Sequence, residues 1–165
     1  GGDLHYCGLK PTGTLMCWSW DASIKGSGGH GMGENRRPLY FSPPGKFKSV
    51  SLGEYYRTCG ITTEDTVKCW EHPFEGGRAE FFPGPQGIFK SIDAGGSRFC
   101  GVRVTGTIKC WPMAKGAVPP PSGNFTSVSM SGGSICGTLT SGKVKCGAPG
   151  WRGSTPPANL LIFRD

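Results

Sequence analysis

Eight cysteines carry the plainest chemistry in this chain of 165 residues, and they fall into four pairs with one spacing. Each pair opens with Cys-Gly, at Cys7-Gly8, Cys59-Gly60, Cys100-Gly101 and Cys136-Gly137. Each closes ten residues later, at Cys17, Cys69, Cys110 and Cys146. Thiols in such a pattern either hold a soft metal or oxidise pairwise. Zinc sites draw two cysteines from a spacing of about two to four residues, and this chain has no such spacing. No metal site is therefore expected. An even set of paired cysteines with none left over points to disulfides and an oxidising compartment, so the chain is expected to be secreted or extracellular.

The other reactive residues form no catalytic pattern. The three histidines are His5, His30 and His72, and no HExxH, G-x-S-x-G or phosphate-loop motif surrounds them. The glycine-rich stretch 26–33 lacks the lysine and serine of a phosphate loop. Asp3, Asp21, Asp65 and Asp93 do not follow the calcium-loop spacing. Neither a catalytic residue nor a cofactor is expected. Residues suited to binding stand out instead, because aromatic and arginine side chains dominate interface hot spots. Trp20, His30, Arg36, Arg37 and Tyr40 fall in or near an irregular insertion, 19–44. Tyr55 and Tyr56 break the repeat, and Arg57 and Arg98 take the repeat position that His5 holds first. Trp151 lies outside the pattern. These ten are the candidate ligand contacts, beside the eight disulfide cysteines. Trp18, Trp70 and Trp111 follow the second cysteine of three pairs and are assigned to packing between repeats.

The formal charge is +7, from 18 Lys and Arg against 11 Asp and Glu. It favours an acidic partner, whether an anionic glycan or the acidic face of an extracellular protein. The basic residues are scattered, and a solvated surface explains them equally well. The charge also raises nucleic acid as a partner, but four disulfides argue against a nuclear setting, and none is expected. No run of eighteen apolar residues is present, so no membrane span is expected. The opening Gly1-Gly2 suggests a processed or trimmed start. A monomer is expected.

Secondary structure must bring each pair together. Cysteines ten apart can face each other across an antiparallel hairpin whose midpoint is one residue, which requires an odd loop. Such loops need a left-handed residue, and the position after the midpoint is Gly13, Asp65, Gly106 and Gly142. Glycine takes that conformation freely and aspartate tolerates it. This supports the pairings Cys7–Cys17, Cys59–Cys69, Cys100–Cys110 and Cys136–Cys146. Upstream of three hairpins stands an apolar pair with serine between, Phe47/Val50, Phe89/Ile92 and Phe125/Val128, read as an opening strand. A fourth, less regular strand is expected after each tryptophan.

The repeats run approximately 45–70, 87–111 and 123–147. A fourth is assembled from residues 1–18 and 156–165, where Leu160 and Phe163 stand as Phe47 and Val50 do. The second cysteines are 52, 41 and 36 residues apart, and passing from Cys146 through the terminus back to Cys17 gives 36 again. The expected architecture is all-β: a single domain over 1–165, a small four-bladed β-propeller with one stapled hairpin per blade. Its C-terminal strand would complete the N-terminal blade. Closure removes exposed sheet edges. The alternative is an incomplete piece of a longer propeller, or a dimer that completes one.

The pattern Gly-x-x-His-x-Cys-x-Leu, a glycine turn, then Cys-Trp resembles the RCC1/BLIP-II superfamily, above all the cysteine-bearing repeats of CRINKLY4-type receptor ectodomains. Gly2-Asp3-Leu4-His5-Tyr6-Cys7-Gly8-Leu9 with Cys17-Trp18 carries the likeness best. It returns at Cys59 to Trp70, Cys100 to Trp111 and Cys136 to Gly147. The sequence departs from the family in having four units where most relatives have seven blades. The family glycine after Cys-Trp is replaced by Ser19, Glu71 and Pro112. The resemblance implies protein binding more than chemistry. The expected function is an extracellular, non-catalytic module recognising a cell-surface glycan or protein. The alternatives are a secreted hydrolase or lyase, which would need His30 or His72 beside a partner, and a protein inhibitor.

Overall fold

The structure is a computed structural model describing residues 5–20, 38–54, 56–71, 79–112, 119–131 and 133–147, with the backbone alone at Ser19, Trp20, Pro38 and Leu39. The described residues form thirteen strands in four antiparallel sheets, with no helix among them. The chain divides into two compact units, Gly1–Ile88 and Phe89–Asp165.

In the first unit, β1 (His5–Leu9), β2 (Leu15–Trp20) and β3 (Pro38–Phe41) make one sheet in that order. β4 (Phe47–Leu52), β5 (Arg57–Thr62), β6 (Val67–Glu71) and β7 (Glu80–Phe82) make the second. The second unit holds β8 (Phe89–Gly95), β9 (Arg98–Arg103) and β10 (Ile108–Trp111) in one sheet. Its other sheet is β11 (Phe125–Ser131), β12 (Ser134–Leu139) and β13 (Val144–Gly147). The strand expected after each tryptophan is present as β3 and β7 in the first two sheets; the described part of the other two has three strands each.

All four stapled hairpins share one turn. In the first, Lys10 N–H donates to the Thr14 carbonyl and Gly13 N–H to the Lys10 carbonyl, both at 2.9 Å. The same two bonds recur at Thr62–Thr66, Arg103–Thr107 and Leu139–Lys143. The residue closing the turn is left-handed each time, with φ of 82° at Gly13, 63° at Asp65, 90° at Gly106 and 81° at Gly142. This is a three-residue loop with a bulge, and the φ it demands explains the glycines. Counting back from the turn places each cysteine pair at a directly opposed position without mutual hydrogen bonds, where Cα atoms come closest. All four disulfides form there, with Cα–Cα distances of 4.0 to 4.1 Å.

The turn also docks the next sheet. The Gly13 carbonyl accepts from Phe47 N–H and the Gly106 carbonyl from Phe125 N–H, both at 2.8 Å. Each opening strand then shifts register after its phenylalanine, between Phe47 and Ser49, Phe89 and Ser91, and Phe125 and Ser127. The bulge aims each phenylalanine onto the glycine that follows the first cysteine. A Cβ at Gly60, Gly101 or Gly137 would lie within 2.8 Å of the ring of Phe47, Phe89 or Phe125, respectively. Those rings are 0–2 % exposed.

Sheets stack by unlike faces within each unit. In the first, Leu15 and Cys17 on the disulfide face of one sheet pack with Phe47 and Trp70 of the next. In the second, Cys100, Val102, Ile108 and Cys110 pack with Phe125, Val128, Met130 and Ile135. There Asp93 Oδ2 on β8 also accepts from Met130 N–H of β11 at 2.7 Å. The expected closure by 156–165 lies outside the described residues, as does the glycine-rich stretch 26–33.

The nearest atoms to a methyl group at Gly101 would be the Phe89 ring at 2.8 Å and the Ser91 carbonyl at 3.0 Å. Gly101→Ala should cost about 1–3 kcal/mol as an overpacked core site. Gly8→Ala, whose nearest neighbour is Trp18 at 3.6 Å, should stay within about 0.5 kcal/mol. Thermal unfolding of the two variants with disulfides intact checks the contrast.

Candidate ligand-binding face

Side chains alternate across a strand, so residues in register on adjacent strands share a face. On the first sheet Tyr6 pairs with Trp18, and Trp18 with Tyr40. These three aromatics form a row across β1, β2 and β3. They lie opposite the face carrying Cys7, Cys17 and Phe41, which packs into the core. Tyr6 and Trp18 stack with centroids 6.0 Å apart and planes at 22°. Tyr6 is 47 % exposed and Tyr40 69 %, while Trp18 is half-buried.

The equivalent tryptophans show why this row is open. Trp70 is fully buried, with Phe47 at 5.5 Å and Phe81 at 6.5 Å between ring centroids. Trp111 is 8 % exposed, with Phe89 at 5.8 Å and Phe99 stacked at 6.2 Å. Trp70 packs between repeats as expected, against Leu15 and Cys17 of the first sheet, and Trp111 is buried against aromatics of its own sheet. Each is capped by the phenylalanine of its own opening strand. Among the described residues β1 has no such strand beside it, and Trp18 alone lies over Gly8. Trp18, assigned by the repeat to the core, is thus partly at the surface.

A second apolar feature lies along β6 and β7. It is a groove of about 320 Å³ lined by Pro44, Val67, Lys68, Phe81, Phe82 and Gly84. Arg57 stands beside it, its guanidinium 5.8 Å from the Phe82 ring and its Nε 3.4 Å from Glu71 Oε2.

The structure sorts the candidate contacts. Tyr40 is exposed on β3, and Arg57 is half-exposed at the groove. Arg98 opens β9 and is half-buried; desolvation lowers its pKa from the ordinary value, and the guanidinium stays charged at neutral pH. Tyr56 is not a surface contact: it is 7 % exposed, with φ of 60°, and its ring lies 5.8 Å from His5. Its repeat-breaking character reflects that buried packing. His5 is 1 % exposed and bonds Thr58 Oγ1 through Nε2 at 2.8 Å, tying the first sheet to the second. Trp20 ends β2 opposite Pro38. His30, Arg36, Arg37, Tyr55, His72 and Trp151 lie outside the described residues. Tyr6 was not singled out in the sequence; its register opposite a repeated tryptophan was the available signal. Among the described residues no three His, Cys, Asp or Glu side chains gather as metal ligands do.

No protein family model matches the chain, and no curated protein matches it. Solved structures do. The chain is similar to the CRINKLY WD40 ectodomain of the Arabidopsis thaliana receptor kinase ACR4, with 22 % identity and a TM-score of 0.58 over 90 % of this chain and 48 % of that one. It is similar to the entire ectodomain of the Physcomitrella patens receptor kinase CR4, with 20 % identity and a TM-score of 0.61 over 88 % and 39 %. It also resembles yeast RCC1 (Prp20), solved with Kap60 bound, at 14 % identity and a TM-score of 0.55 over 88 % and 42 %. The fold is therefore that of β-propeller blades, and the chain spans less than half the length of these structures. Four disulfides fit an oxidising compartment.

The open row should be dispensable for folding, unlike its buried counterpart. Tyr40→Ala should change unfolding free energy by no more than about 0.5 kcal/mol. Trp70→Ala should cost about 3–5 kcal/mol. Urea unfolding followed by circular dichroism measures both.

Proposed function

We propose that the chain is an extracellular, non-catalytic binding module of the RCC1/BLIP-II type, and that it recognises a cell-surface glycan through the Tyr6–Trp18–Tyr40 face. The observation carrying this reading is a row of three aromatics in register, Tyr6 and Tyr40 exposed and Trp18 half-buried between them, with a disulfide on the opposite face. Such faces offer large rigid area at little entropic cost, with phenolic hydroxyls at the rim for hydrogen bonding. The neighbouring groove adds apolar area and the Lys68 side chain, suited to an acidic group on the same ligand class.

One observation favours a second reading, a protein partner. The face carrying Trp70 is covered by the disulfide face of the adjacent sheet. A partner presenting a similar apolar sheet would seat on Trp18 in the same way. The same packing logic would seat a protein there.

Glycan-array screening followed by titration of tryptophan fluorescence separates the two. A saccharide ligand should perturb Trp18 emission, and Tyr40→Ala should weaken its binding about five- to thirty-fold, the loss of roughly 1–2 kcal/mol at a hot spot. The absence of saturable binding to any sugar sinks the glycan reading. Capture of an extracellular protein that Tyr40→Ala abolishes supports the second.

A further inference from the structure

We infer that Asn124 is an N-glycosylation site, modified by an oligosaccharide while the chain is translocated; the inference rests on the extracellular reading above. Asn124-Phe125-Thr126 is the one Asn-x-Ser/Thr triplet among the chain's three asparagines, and its middle residue is not proline.

The fold keeps this asparagine available. The residue preceding each opening phenylalanine is Lys46, Ile88 or Asn124, and all three are exposed. The position tolerates an appended group because the phenylalanine after it turns inward and leaves it at the rim. The Asn124 backbone is anchored, its carbonyl accepting from Thr140 N–H at 2.9 Å. The oxygen side of its carboxamide lies over Gly106, where a Cβ would meet Oδ1. Nδ2, the atom that carries a glycan, is therefore turned the other way.

The folded strand itself is a poor acceptor. Phe125 is fully buried, and Thr126 Oγ1 donates to the Thr138 carbonyl at 3.1 Å. The bond to Thr126 comes from β12, which lies further along the chain, and Phe125 is closed in by Gly137 of β12 as well as by β9 and β10; β12 is in turn paired with the still later β13. Until β12 emerges, the Thr126 hydroxyl lacks its carbonyl partner and Phe125 lacks Gly137 beneath its ring, which is the interval in which a transferase would act. The donor is a lipid-pyrophosphate-linked oligosaccharide. Nδ2 forms a bond to C1 of its first sugar as the C1–O bond to pyrophosphate breaks. Nδ2 gives up one proton, and the lipid pyrophosphate leaves with the bonding electrons. Folding then buries Phe125 and engages Thr126, while the sugar remains outside.

The full chain, expressed behind a secretion leader in eukaryotic cells, should migrate as a glycoprotein. Peptide N-glycosidase should collapse it to one faster band and convert residue 124 to aspartate in the tryptic peptide. Asn124→Gln and Thr126→Ala should abolish the shift, and Thr126→Ser should keep it. A secreted product with all four disulfides and an unmodified Asn124 would overturn the proposal alone. A product whose thiols stay free by titration would overturn the extracellular reading, and the proposal with it.

Discussion

Three of the four sheets are organised by one contact: a phenylalanine ring laid directly on a glycine in the strand beside it. Phe47 on Gly60, Phe89 on Gly101 and Phe125 on Gly137 leave no room for even a methyl group. The contact requires the glycine, the bulge that aims the ring, and the hydrogen bond that starts the opening strand. It also seats the tryptophans, since Trp70 and Trp111 lie against Phe47 and Phe89. The disulfide sits one residue away, on the opposite face. Each sheet thus has a covalent side and an aromatic side, and stacking matches one with the other.

The proposed binding face follows from where that contact is missing. Without a described phenylalanine over Gly8, Trp18 keeps part of its surface, and Tyr6 and Tyr40 extend it across three strands. Burying a tryptophan needs a partner of equal area, and the third sheet supplies one from its own strands. The first sheet offers its row outward. A surface-exposed aromatic row on a stapled sheet combines rigidity with apolar area, which is what recognition of a flat ligand requires.

The four disulfides act locally. Each links cysteines ten positions apart, so each constrains one hairpin and leaves sheet-to-sheet packing to apolar contacts and a few hydrogen bonds such as His5–Thr58 and Asp93–Met130. Disulfides this short restrict the unfolded chain less than long-range ones do. Their main consequence is to hold the register that points every second side chain inward. A slip of one residue would send Cys17 and Trp18 to each other's faces.

By itself the sequence determined the hairpins, the disulfide pairing, the left-handed turn residues and the opening phenylalanines, because each is a local constraint written within about a dozen residues. Spacing of ten, a glycine or aspartate after the midpoint, and Phe-x-Ser before the hairpin each demand one backbone geometry. Only the tertiary structure decided which aromatics face solvent. Trp18, Trp70 and Trp111 occupy one repeat position, yet their exposure differs because it depends on whether another strand lies over them. Tyr56 broke the repeat as a surface contact would, and it packs against His5 instead. Tyr6 joins the row only through the register that sets it beside Trp18. Exposure is a property of what covers a residue, and the covering strand lies far away in sequence.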